Sequence, residues 1–146
     1  MKKFQLVVIL FIGLTTSSFA QNWLTNFDEA KATATNEHKN ILLVFSGTDW
    51  CAPCIKLEKF IWQSEEFKTF SNDHFVLLRA DFPKLKKNQL PENQQEQNNK
   101  LAEKYNGNGY FPHVVILNNQ GAIIGTTGYK NISPKEYIDL LVSLEK

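Results

Sequence analysis

The sequence predicts an α/β domain in which helices flank a central mixed sheet of about four strands. Short apolar runs rich in strand formers alternate with segments of helical spacing. A strand–helix–strand unit is then followed by a hairpin and a closing helix, an order that builds a mixed sheet covered on both faces.

The N-terminus reads differently from the rest. Met1, Lys2 and Lys3 lead into an apolar stretch from Phe4 to Leu14, and Ser18-Phe19-Ala20 supplies small residues at a cleavage position. This pattern predicts a secretory signal peptide over residues 1–20, cut after Ala20. The run is shorter than the roughly 18 apolar residues that span a bilayer. Export without stable membrane insertion is therefore expected, into the periplasm if the source is Gram-negative and otherwise outside the cell. No Cys follows the cut to carry a lipid.

Residues 21–146 are expected to form one domain, long enough to bury a core. The chain carries 16 basic and 15 acidic residues; without Lys2 and Lys3 the balance is 14 to 15. That near-neutrality gives no reason to expect nucleic acid as a partner.

Thr25 is placed to cap a first helix through about His38, with Phe27, Ala30 and Ala34 at helical spacing. Ile41-Leu42-Leu43-Val44-Phe45 is a continuous apolar run, the mark of a strand buried on both faces. After a turn over Ser46 to Asp49, a helix is expected from the cysteine pair to about Trp62. Ser64, followed by Glu65 and Glu66, restarts a helix through Phe70. Phe75 to Leu78 form the second strand, ending near Asp81. Residues 84–99 are rich in Asn and Gln and read as an exposed loop passing into a helix through Tyr105. Val114 to Leu117 form a third strand, Asn118-Asn119-Gln120-Gly121 a hairpin turn, and Ala122 to Thr127 a fourth strand. Ser133-Pro134 opens a last helix with Tyr137, Ile138, Leu141 and Leu144 along its buried stripe.

The chain has two cysteines, Cys51 and Cys54. In an oxidising compartment an even count usually means a structural disulfide. Here the bridge would close a very small loop, where the chain-entropy gain is least. A redox pair fits this spacing better than a staple.

Residues three apart at the start of a helix share a face, with Cβ atoms about 5–6 Å apart, within reach of a disulfide after small adjustments. Cys51 falls at the helix N-terminus, where free N–H groups and the macrodipole favour an anion. The thiolate is the attacking species. Cys51 is thus expected to attack a substrate disulfide, and Cys54 to resolve the mixed disulfide. Pro53 lacks an N–H, which suits and stiffens that first turn. Glu58 lies i+4 from Cys54 on the same helix face, so its carboxylate is a candidate to relay the Cys54 proton.

A buried apolar strand leading into Trp50-Cys51-Ala52-Pro53-Cys54 and a helix resembles the thioredoxin family. Gly109-Tyr110-Phe111-Pro112, just before the third strand, is similar to that family's cis-proline segment. The resemblance covers roughly residues 41–146 and implies a thioredoxin-like fold. It also implies a cis Phe111–Pro112 bond, with Phe111 backbone groups facing the cysteines to bind a substrate chain. Trp50, Phe111 and Pro112 would then form an apolar docking surface. Thioredoxins themselves carry an acid in the strand before the motif; Ile41 to Phe45 contain none. The Asp-Trp-Cys-x-x-Cys motif with a glutamate four residues past the second Cys looks more like the periplasmic domain of transmembrane disulfide reductases. Asp49 and Glu58 match those two positions, which implies a redox-tuning role for Asp49 beside Pro53.

The resemblance implies a thiol:disulfide oxidoreductase acting as a reductase or thiol-exchange protein, and Pro53 resembles the reducing members. No cofactor is expected beyond the Cys51–Cys54 disulfide. Partners would be protein or small-molecule disulfides and a membrane thiol donor, with the protein a monomer. Isomerase or oxidase activity is the nearest alternative. A non-catalytic binding protein and a copper-handling protein are more distant ones. Zinc would need four ligands, and beyond one Cys-x-x-Cys the sequence offers only the scattered His38, His74 and His113.

Overall fold

A computed structural model describes residues 20–146, so the expected signal peptide lies outside the described residues apart from Ala20. The elements follow as β1 (Trp23–Leu24), α1 (Phe27–Glu37), β2 (Asn40–Ser46), α2 (Ala52–Leu57), α3 (Glu65–His74) and β3 (Phe75–Asp81). After these come α4 (Glu92–Tyr105), β4 (His113–Leu117), β5 (Ile123–Thr127) and α5 (Pro134–Leu144). No described helix is long and apolar enough to cross a membrane.

The sheet is mixed, in the order β1-β3-β2-β4-β5. β3 runs parallel to both β1 and β2, whereas β4 runs antiparallel to β2 and β5. One strand more is present than the four expected. β1 contributes only Trp23 and Leu24, opposite Leu77 and Leu78, and two residues are too few to show a periodicity in sequence.

β2 is the middle strand, and its unbroken apolar run is explained by cores on both sides. Ile41, Leu43 and Phe45 face Ala30, Ala34, Leu101 and Tyr105. Leu42 and Val44 face Leu57, Ile61, Trp62 and Tyr137. Because side chains alternate along a strand, either face alone would have needed only every second residue.

Caps fix the helix ends. Asn26, one residue after the expected Thr25, accepts from the Glu29 N–H at 2.9 Å. Ser64 caps α3, which continues one turn beyond the expected end at Phe70. In α5, Ser133 and Glu136 form a reciprocal capping box with Pro134 in the first turn. The helix after the cysteines does reach Trp62, but it widens into a π-helical turn over Glu58–Trp62. There the Gln63 N–H donates to the Glu58 carbonyl at 3.0 Å.

The Asn/Gln-rich stretch fastens its surroundings through side-chain amides. Gln94 and Gln97 donate to the Thr25 carbonyl. Asn98, only 1% exposed, donates to the Asp81 carbonyl at 2.9 Å. The Asn98 bond holds α4 against the end of β3, and the Thr25 bonds tie it to the chain between β1 and α1.

Candidate redox site

β2 and β3 end side by side, with Ser46 opposite Asp81. The chain leaving β2 turns at once, because the Gly47 carbonyl accepts from the N–H groups of Trp50 and Cys51 at 3.2 and 2.9 Å. Gly47 has no side chain for a packing reason. A Cβ there would lie 2.4 Å from Trp50 Cε2.

Two carboxylates lace this turn to the chain leaving β3. Asp81 accepts from the Thr48 N–H at 3.0 Å and the Thr48 hydroxyl at 2.7 Å. Asp49 accepts from the N–H groups of Lys84 and Leu85 at 2.9 and 3.0 Å, and from the Asn88 amide at 3.0 Å. The Lys84 N–H bond is the main reason that the Asp49 carboxyl lies below its usual range. Asp49 therefore holds the 84–88 loop in place beside the motif.

Cys51 is the N-cap of α2, and Cys54 lies one turn in. The two form a disulfide with Cα atoms 5.2 Å apart. The Cys54 N–H points at Cys51 Sγ, 3.3 Å away. Both cysteines are nearly buried, at 4% and 3% exposed, while Ala52 and Pro53 between them face solvent.

Trp50 stands over this edge, 38% exposed. Its indole N–H donates to the Phe82 carbonyl at 2.7 Å. Phe111 meets the rings of Trp50 and Phe82 edge-on, with centroids 5.4 and 5.5 Å apart. Trp50 is thus packed directly against the distant Phe111 segment.

The Phe111–Pro112 peptide bond is cis. Its loop is braced by the buried Asn106, whose amide donates to the Tyr110 carbonyl at 2.8 Å and accepts from the Tyr110 N–H at 3.0 Å. Gly109 takes a positive φ of 68° inside that brace, a conformation that costs glycine little. A groove opens beside the motif, lined by Pro53, Tyr110, Phe111, Pro112, Gly128 and Tyr129. His113, half-buried, also lines this groove and stacks on Phe45. Burial pushes its imidazole pKa down.

Glu58 is the sequence-selected residue whose surroundings differ most from expectation. Gln63 donates to one of its oxygens at 2.7 Å, and Arg79 pairs with the other at 2.5 Å. The Arg79 guanidinium also lies 4.5 Å over the Trp23 ring. Its Nε is buried with no hydrogen-bond partner. The carboxylate is engaged across to β3 rather than with Cys54.

Sequence reasoning missed Arg79, Gly47, Phe82 and Asn106. A cation inside the apolar run Val76-Leu77-Leu78-Arg79 was the available signal for Arg79. Phe82 acts through its carbonyl, which any residue would supply. No group of three or more His, Cys, Asp and Glu placed to hold a metal ion occurs among the described residues.

Comparison with known proteins places this architecture. Residues 22–119 match the family described as Thioredoxin-like. The chain is 35% identical over 121 residues to the Disulfide bond reductase DsbH of Chlamydia pneumoniae, covering 83% of this chain and 71% of that protein. It is 28% identical over 120 residues to the Thioredoxin-related protein DsbJ of the same organism, covering 77% of this chain and 34% of the relative. A solved structure titled DsbH Oxidoreductase superposes with a TM-score of 0.78 at 33% identity, covering 85% of this chain and 83% of the other. The chain belongs to the thioredoxin-like family.

Proposed function

We propose that the protein is an exported thiol:disulfide oxidoreductase that works as a reductase, cycling Cys51 and Cys54 between dithiol and disulfide. The observation that carries the redox cycle is the Cys54 N–H directed at Cys51 Sγ, at the cap of a helix; the direction rests on the relatives. A hydrogen-bond donor held there favours sulfur in its anionic form, the form that attacks.

In the reducing direction, the Cys51 thiolate attacks one sulfur of a substrate disulfide. A Cys51–substrate bond forms, and the other substrate sulfur leaves as a thiolate. Cys54, losing its proton, attacks Cys51 Sγ and expels the remaining substrate thiolate. Two electrons pass to the substrate, and the Cys51–Cys54 disulfide is left. A substrate chain laid in the groove along Pro53, Phe111 and Pro112 would pass beside the motif, with Trp50, packed on Phe111, as the neighbouring apolar surface. Glu58 is engaged by Arg79 and Gln63, so a role in moving the Cys54 proton would compete with those bonds.

The reductase direction is supported by the 35% identity to a protein named a disulfide bond reductase, and by Pro53. Working repeatedly as a reductase requires a thiol donor to restore the dithiol, and a membrane donor suits a protein outside the cytoplasm. Export is supported by the Lys2-Lys3 start, the short apolar core and Ser18-Phe19-Ala20.

The test is insulin reduction by the wild type and by Cys51→Ser. The wild type is expected to precipitate insulin chains in the presence of dithiothreitol well ahead of the dithiothreitol blank. Cys51→Ser is expected to match the blank. Equal activity in the two proteins would overturn the proposal.

A further inference from the structure

The segment Lys84-Leu85-Lys86-Lys87 carries three cations in four residues, and no acidic residue lies between Asp81 and Glu92. The chain as a whole has a net charge of only +1, so the excess is local, and it persists as three ammonium groups against the one Asp49 carboxylate that anchors the segment. All four side chains are exposed, and none of the three lysines forms an ion pair among the described residues.

The backbone that carries these charges is also anchored. Asp49, two residues before Cys51, holds the backbone at Lys84 and Leu85 and the Asn88 side chain. The Lys84 ammonium lies 3.9 Å over the Trp50 ring. Leu85, 47% exposed, adds an apolar side chain between the cations. A merely solubilising run of lysines needs no such anchorage to the residue next to the redox motif.

We propose that the 84–87 ridge selects protein disulfides flanked by acidic residues, steering the acidic segment onto the lysines as the disulfide enters beside Trp50. This rests on the oxidoreductase reading above and names its substrate class. The Lys84 ammonium, 3.9 Å over the Trp50 ring, lies well within the Debye length of about 8 Å at physiological salt. The effect of the lysines is expected chiefly on the rate of encounter.

The test uses matched peptides holding one disulfide, with Glu, Gln or Lys at the flanking positions, and the reduced wild-type protein. At low salt the Glu peptide is expected to react about 10-fold faster than the Gln peptide, and the Lys peptide most slowly. At about 0.5 M salt the rates should converge. The variant K84Q/K86Q/K87Q should bring the Glu and Gln rates within about twofold. K86Q/K87Q, which leaves Lys84 on Trp50, should give an intermediate ratio and serves if the triple variant does not fold. Equal wild-type rates for the Glu and Gln peptides, or a ratio unchanged in the folded variants, would overturn the ridge while leaving the oxidoreductase reading intact. Failure to reduce any of the three peptides would overturn that reading and the ridge with it.

Discussion

Glu58, at the start of the π-helical turn, and Arg79, on β3, form an ion pair with oxygen and nitrogen 2.5 Å apart. The pair is part-exposed, and the guanidinium also lies over the Trp23 ring. Glu58→Gln leaves that cation without its counter-charge. It is expected to destabilise the fold by about 1–2 kcal/mol, less than a fully buried pair because solvent still reaches both groups. Urea unfolding of the oxidised protein measures it. If Glu58 also moves the Cys54 proton, the same variant slows release of the mixed disulfide while leaving the first attack by Cys51 unchanged. A stopped-flow comparison of the two steps separates these effects.

Gly47 and Trp50 are matched in shape. Gly47→Ala sets a Cβ 2.4 Å from the indole, so the ring must move and lose its bond to the Phe82 carbonyl. The expected cost is about 1–3 kcal/mol, as for other overpacked sites. Slower reduction of protein disulfides should accompany it, because the ring that packs on Phe111 beside the motif is displaced. Thermal melts together with insulin reduction check both effects.

The Asp49 carboxyl is held below its usual value of 3.8, chiefly by the Lys84 N–H. A lowered acid stabilises the folded arrangement above its unfolded pKa, and that contribution is lost as pH falls through the folded pKa. The amide resonances of Lys84 and Leu85 are therefore expected to stay constant through neutral pH and to shift together below pH 3.8. Asp49→Asn should abolish that titration. Separate midpoints for the two amides would contradict the shared anchor.

Burial lowers the His113 pKa from 6.5. The folded state therefore disfavours the imidazolium, and unfolded chains bind more protons between the two pKa values. Stability contributed at this site should rise with pH across that window and level off above 6.5. His113→Phe should flatten the rise, as read by urea midpoints from pH 5 to 7.5.

Much of this site could be read from the chain because its parts obey local rules. The β2 run declares a strand buried on both faces, and Asn118 to Gly121 declare the hairpin. The spacing of Cys51 and Cys54 places them one helical turn apart. Arg79 and Glu58 could be found singly, but their pairing depends on where β3 passes the helix, which no local pattern encodes. The same holds for Trp50 and the Phe82 carbonyl, 32 residues apart in sequence. The π-helical turn has no composition of its own and left no mark. β1 is held by pairing with β3 rather than by propensity, so Trp23 and Leu24 gave no strand signal.

Asp49 shows how a residue's role can move when its partners appear. Its place before Trp50 matched a redox-tuning acid, and its hydrogen bonds add an anchor for the 84–88 loop. The Asn/Gln-rich residues after that loop likewise exchanged a bland reading for specific bonds to Thr25 and Asp81.

The most direct measurement of the central claim is a trap with Cys54→Ser. The reduced variant, mixed with a disulfide-bonded protein and quenched with acid, is expected to yield a mixed disulfide mapped by mass spectrometry to Cys51 and released by dithiothreitol. The complementary Cys51→Ser variant is expected to yield none. An empty Cys54→Ser trap, or equal trapping through Cys54 in Cys51→Ser, would contradict the assignment of Cys51 as the attacking sulfur.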